Sequence, residues 1–183
     1  APSPPMSANI VPRKAPNASS HTSSLAHAEN LFFPIATASQ GARLARGGCG
    51  QKVAFSKMIS ELQKKEIILF GEIHNNPIAH WLQIELTKEL GKSNDLILGA
   101  EMFEADNQFG LDLYLKDSIT SNGLDTIVRL WPNYKTDYKP LVDYAKVNKL
   151  NFVATNIPRR YASLVYKKGG FKSLDSLSFQ EKS

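Results

Sequence analysis

The sequence predicts an α/β protein: a parallel sheet with flanking helices, arranged as a βαβα repeat from Lys52 to about Gly170. Three observations carry that prediction. Short apolar runs recur at Ile67–Phe70, Asp95–Ala100 and Asn151–Thr155. Segments with apolar residues at helical spacing separate them, and each run ends in polar residues. Continuous apolar runs of this length suit strands buried on both faces, and their alternation with helices is the mark of a parallel sheet.

Taken in order, Val53-Ala54-Phe55 suits a short strand and Ser56 the N-cap of a helix carrying Met58, Ile59 and Leu62. After the Ile67 run, Pro77 fits a first helical position, with apolar spacing through Leu90 and Gly91 as the C-terminal cap. The Asp95 run leads to a helix from about Asn107 to Lys116. An irregular stretch around Trp131-Pro132-Asn133-Tyr134 follows, then a helix over Pro140–Asn148. The Asn151 run and a last helix to about Lys168 complete the order β-α-β-α-α-β-α. Three strands are few for such a sheet, so the region reads as the N-terminal half of a larger domain.

Residues 1–50 differ in character. They are rich in Ala, Ser, Pro and Asn and hold four basic residues (Arg13, Lys14, Arg43, Arg46) against Glu29 alone. A segment with so little apolar content cannot offset its ordering entropy, so it reads as a disordered or targeting leader. Gly47-Gly48-Cys49 resembles the end of a bacterial lipoprotein signal, although Arg46 stands where an apolar residue is wanted.

The overall composition of the 183 residues, 42% hydrophobic and 21% charged, is that of a globular protein. The formal charge of +5 is drawn largely from the leader, leaving +2 dispersed among acids over the rest. With no basic stripe or known module, nucleic-acid binding is not expected. Cys49 is the only cysteine, which excludes an intramolecular disulfide and a Cys-based zinc cluster. No apolar run has the length of a membrane span.

Chemistry is expected at the carboxyl ends of the strands, where loops and helix N-termini converge. The first strand ends in Glu72 and His74, the second in Glu101 and Glu104, the third in Asn156 and Arg159. Glu and His suit a divalent metal or acid–base work, so Glu72, His74 and Glu101 form a candidate metal set, with Glu101 supplied by the neighbouring strand. Glu72 and His74 could instead serve only as a helix cap and a backbone donor. His80 falls on a helix face near the site, where packing is as good an account as ligation. The amides after Asn75-Asn76 could receive a carboxylate or a propionate, and Arg159 and Arg160 could do so by charge-assisted hydrogen bonds. Phenolate is one of the axial ligands used for ferric haem, which brings in Tyr134, Tyr138, Tyr144, Tyr161 and Tyr166; Tyr134 and Tyr138, in the irregular stretch, are the least explained by a helix core. Without a Cys-x-x-Cys-His motif, any haem would be held non-covalently.

Four stretches then agree in order: Gly71-Glu72-Ile73-His74-Asn75-Asn76-Pro77-Ile78-Ala79-His80-Trp81; Gly99-Ala100-Glu101-Met102-Phe103; Trp131-Pro132-Asn133-Tyr134 with Asp137-Tyr138; and Ala154-Thr155-Asn156-Ile157-Pro158-Arg159-Arg160. Together they resemble the ChaN-like haem-binding lipoproteins, and more widely the Tiki and TraB proteins with their Gly-x-x-His motif. The resemblance implies a haem-binding protein of the bacterial cell envelope, periplasmic or an outer-membrane lipoprotein, acting in haem and iron uptake. It further implies haem as cofactor, an outer-membrane haem receptor as partner and a possible homodimer. Its candidate haem contacts are His74, His80, Tyr134, Tyr138, Arg159 and Arg160. The alternative it implies is a metal-dependent hydrolase using Glu72, His74 and Glu101. The family pattern continues past Ser183 to a second Gly-x-x-His motif, so residues 51–183 read as a C-terminally truncated haem-binding domain.

Overall fold

The computed structural model describes residues 7–12, 31–33, 43–46, 49–168 and 170–178. Among the described residues, seven strands and six α-helices follow one another. They are β1 (Ser7–Pro12), β2 (Leu31–Phe33), β3 (Arg43–Arg46), β4 (Cys49–Lys52), α1 (Phe55–Leu62), β5 (Ile67–Glu72), α2 (Pro77–Gly91), β6 (Ile97–Glu104), α3 (Gln108–Leu115), α4 (Ser121–Ile127), α5 (Lys139–Val147), β7 (Asn151–Asn156) and α6 (Arg159–Lys167). A π-helical turn, Tyr134–Tyr138, leads directly into α5.

The expected α/β class, a sheet flanked by helices, is what forms. The strand order is β4-β3-β2-β5-β1-β6-β7. β2 runs parallel to β5 and β6 parallel to β7, whereas β1 lies between β5 and β6 and is antiparallel to both. The sheet is therefore mixed. β5 and β6 are not neighbours, because β1 takes the edge hydrogen bonds that each would have offered the other. Of the 1–50 leader expected from composition, the segments 7–12, 31–33, 43–46 and 49–50 pair into this sheet. Its other residues lie outside those described.

Local chemistry explains most element boundaries. Pro77 opens α2, and the Asn76 side chain accepts from the amides of Ile78 (3.0 Å) and Ala79 (3.3 Å). Those amides were expected to be open to a ligand carboxylate, but the cap already occupies them. Near α1, Val53 and Ala54 are not strand, and the helix starts at Phe55 with Ala54 at its N-cap, one residue before the expected Ser56. α4 was not anticipated: Thr120 caps it through the Gly123 amide, a signal hidden by its short length. The core runs from Met58 and Leu62 through Leu98, Phe103 and Leu111 to Val142 and Phe152. β5 and β6 are buried through most of their length, as apolar runs predict. β7 instead alternates, with Phe152 and Ala154 buried and Asn151, Val153 and Thr155 exposed. Its position at the end of the sheet leaves one face open to solvent.

Candidate functional site

β5 ends at Glu72, whose side chain is 1% exposed. A buried carboxylate must be hydrogen-bonded to be tolerated, and its surroundings meet that need from two other elements. The Tyr138 hydroxyl donates to Oε1 at 2.8 Å, and the Gln83 side-chain amide donates to Oε2 in a short contact. Two imidazoles flank the group: His74 Nδ1 lies 3.6 Å from Oε1 and His80 Nδ1 lies 3.3 Å from Oε2.

His80 is buried on α2 and packs edge-on against the Tyr138 ring at 4.7 Å between centroids. Its Nε2 is 2.9 Å from the His74 carbonyl oxygen, which can only accept, so Nε2 carries a proton. Nδ1 is then the atom that faces Glu72, without hydrogen-bonding geometry. The same His74 carbonyl accepts from Asn133 Nδ2 at 2.7 Å, and Asn133 also donates to Asp137 at 2.7 Å. The loop after β5 is thereby tied to α2 and to the π-helical turn through one carbonyl.

The His74 side chain is 29% exposed and meets Trp131 edge-on at 4.7 Å. Close to it in sequence, Ile73, Ile78 and Trp81 are exposed large apolar side chains, Trp81 at 58%. The site thus has a buried polar interior, with the His74 imidazole reaching the surface against Trp131.

Tyr134 and Tyr138 both lie in the core, 2% and 1% exposed. Burial, and for Tyr138 also the adjacent Glu72 charge, pushes each phenol far above its ordinary value, so the phenolate form is strongly opposed. The Tyr134 hydroxyl has no hydrogen-bond partner among the described residues.

Glu101 is not gathered into this cluster. Its strand is separated from β5 by β1, and two strand spacings amount to about 9–10 Å. Among the described residues its carboxylate makes no hydrogen bond or ion pair with Glu72 or His74. Its carbonyl accepts from the Asn156 side chain at 3.0 Å. No group of three or more His, Cys, Asp or Glu side chains suited to a metal ion occurs among the described residues.

Arg159 and Arg160 open α6 beside the end of β6 rather than beside β5. Glu104 accepts both from the Arg159 amide at 2.7 Å and from the Arg129 guanidinium at 2.8 Å. Arg160 reaches Asp106 at 3.2 Å and stacks over Tyr161. The Arg159 guanidinium has no hydrogen-bond partner among the described residues.

Gln83, Asn133 and Asp137 were not singled out as site residues by the sequence. A signal for Gln83 existed: His80, Gln83 and Thr87 form a polar stripe at helical spacing, all three buried on α2.

Fold and cluster together define an α/β domain with a carboxylate–imidazole network at the carboxyl end of β5. A family model described as haem-binding uptake, Tiki superfamily, ChaN matches residues 58–183, and the chain belongs to that family. Haem binding is accordingly the role attached to the family. Neither a curated protein nor a solved structure matches the chain. No helix among the described residues is long and apolar enough to cross a membrane.

Proposed function

We propose that this protein binds haem non-covalently at the mouth of the β5 site, with His74 as the group that meets the iron. The observation that carries this reading is the partial exposure of the His74 imidazole, edge-on to Trp131, with the exposed apolar side chains Ile73, Ile78 and Trp81 near it in the sequence. A haem needs an accessible base and apolar surface for the macrocycle, and this part of the molecule offers both. Glu72 lies 3.6 Å from His74 Nδ1, and such a carboxylate orients a ligating imidazole and raises its basicity. The buried phenols of Tyr134 and Tyr138 are poorer partners, because ligation would require each to ionise inside the core. Arg159, whose guanidinium has no hydrogen-bond partner among the described residues, would meet a propionate only where the bound haem extended toward α6, whereas Arg160 is held by Asp106. The bound haem would supply a redox-active, ligand-binding iron, and the chain's own residues would hold and orient it. In this reading the protein serves haem and iron uptake in the bacterial cell envelope, in the periplasm or at the outer membrane, taking haem passed on by an outer-membrane receptor.

The test is a hemin titration of the whole chain followed by absorbance. Saturable one-to-one binding is expected, weakened about tenfold or more in His74→Ala and retained in Tyr134→Phe. Unchanged affinity and spectrum in His74→Ala would remove His74 from the iron.

A further inference from the structure

We propose that Glu72 makes this site select ferric over ferrous haem, acting through the His74 imidazole, an inference that rests on the haem reading above and names the oxidation state of the ligand. Glu72 is the last residue of β5, and its two oxygens face different neighbours. Oε2 is turned to α2, where the Gln83 side-chain amide donates to it and His80 Nδ1 lies at 3.3 Å. Oε1 is turned to His74: it accepts from the Tyr138 hydroxyl at 2.8 Å and stands 3.6 Å from His74 Nδ1. An amide and a phenol are neutral donors, so these two fix the direction of the carboxylate without cancelling its charge.

With Nδ1 toward a buried carboxylate, Nε2 is the ring nitrogen left for the iron, on a side chain 29% exposed. Ligation through Nε2 settles the tautomer: the remaining ring proton sits on Nδ1, facing Oε1. At 3.6 Å the pair is longer than a hydrogen bond of about 2.7–3.2 Å, so the coupling is first of all electrostatic. Ferric haem differs from ferrous haem by one positive charge. A negative charge held in the interior behind the ligand stabilises the more positive form. It also draws the Nδ1 proton, which makes Nε2 a stronger donor to the more electron-poor iron. Both effects have the same sign. One electron separates the two forms, and no bond or proton of the chain need move with it. Trp131, edge-on to the His74 ring at 4.7 Å, is uncharged and does not oppose the preference. Because the Glu72 side chain is only 1% exposed, salt screens it little.

The probe is haem itself, as hemin and as dithionite-reduced haem without oxygen, each titrated into the whole chain and followed by absorbance. In the wild type the ferric form should bind more tightly, by a ratio that persists in high salt. Glu72→Gln removes the charge and keeps the shape. It should narrow the ratio about tenfold, the lower end of what an outer-shell partner of a ligating imidazole contributes. For one electron that is a rise of about 59 mV in midpoint potential. A merely structural role for Glu72 would weaken both forms alike and leave the ratio unchanged. Saturable hemin binding with a ratio unmoved by Glu72→Gln would overturn this inference and leave the haem reading standing. If Glu72→Gln fails to fold, the wild type still decides. Ferrous haem bound as tightly as ferric, or a preference that disappears in high salt, would overturn the role of Glu72. No saturable hemin binding by the wild type would overturn both.

Discussion

Replacing Tyr138 by Phe removes one hydroxyl from the centre of the site while keeping the ring that packs against His80 and Trp131. The lost group donates to Glu72 Oε1 at 2.8 Å, with both residues buried, so no solvent takes its place. Hydrogen bonds to charged groups contribute about 1.5–3 kcal/mol, more than neutral ones, because an ion left short of a donor retains its desolvation cost. Tyr138 also donates weakly to the His74 carbonyl at 3.5 Å, but that oxygen keeps Asn133 and His80. The expected loss is therefore about 2 kcal/mol. For a chain of this length that lowers Tm by about 4–8 °C. Thermal and urea unfolding of the wild type and Tyr138→Phe measure it directly. The same substitution in a Glu72→Gln background isolates the charge: a hydroxyl donating to a neutral amide is worth about 1 kcal/mol, so the cost should fall by roughly half. An equal cost in both backgrounds, or a loss below about 0.5 kcal/mol in the wild type, would refute the view that Tyr138 supports a buried carboxylate.

Acid unfolding tests Glu104. Burial alone would raise its carboxyl, but the Arg159 amide and the Arg129 guanidinium outweigh burial and hold it below the ordinary 4.5. A depressed folded value means that the contribution is complete above about 4.5 and is lost as pH falls through the lower folded value, so Glu104→Gln should flatten the acid limb of a stability–pH curve. Asn76→Ala should cost about 1 kcal/mol in urea unfolding, because two first-turn amides of α2 lose their acceptor. Gly110→Ala should destabilise by about 1–3 kcal/mol despite the better helix former, since the new methyl would stand 2.5 Å from Val128 Cγ2, a short branched group with nowhere to swing. A neutral result in thermal unfolding would mean that α3 and α4 can separate slightly at no cost.

The parts legible in the sequence were those governed by local rules. Pro77 after Asn76 marked the start of α2, and the apolar runs at Ile67 and Asp95 marked two strands, because capping and burial on both faces leave one-dimensional signatures. Glu72 and His74 were legible for the same reason: polar residues that interrupt a buried run at its carboxyl end are costly unless used. The position of Glu101 was not, since the neighbour of a strand is decided by long-range pairing, and β1, drawn from a segment whose composition suggested disorder, takes the place between β5 and β6. The exposed face of β7 escaped for a related reason. Asn151-Phe152-Val153-Ala154-Thr155 reads as a buried run only if a helix covers both sides, and the row Asn151, Val153 and Thr155 is uncovered. The roles of Gln83 and Asn133 depend on side chains meeting across elements, at separations of 11 and 59 residues from their partners, where no pattern in the chain points from one to the other.

The division of labour inside the site follows from exposure. Glu72, His80, Gln83 and Tyr138 are all buried, each holding another, so substitutions there should appear first as lost stability. His74 is half in this network and half outside it: its carbonyl gathers Asn133 and His80, while its ring meets Trp131 and the surface. Because α2 and the π-helical turn both converge on that carbonyl, the backbone of His74 is fixed independently of what its imidazole binds. His74→Ala can then remove the imidazole and leave the scaffold in place, so a loss of hemin binding without a loss of stability reports on the ligand and not on the fold. The reverse pattern, stability lost and binding kept, would assign the imidazole to the Glu72 network alone and direct the search for the iron's partner elsewhere on the chain.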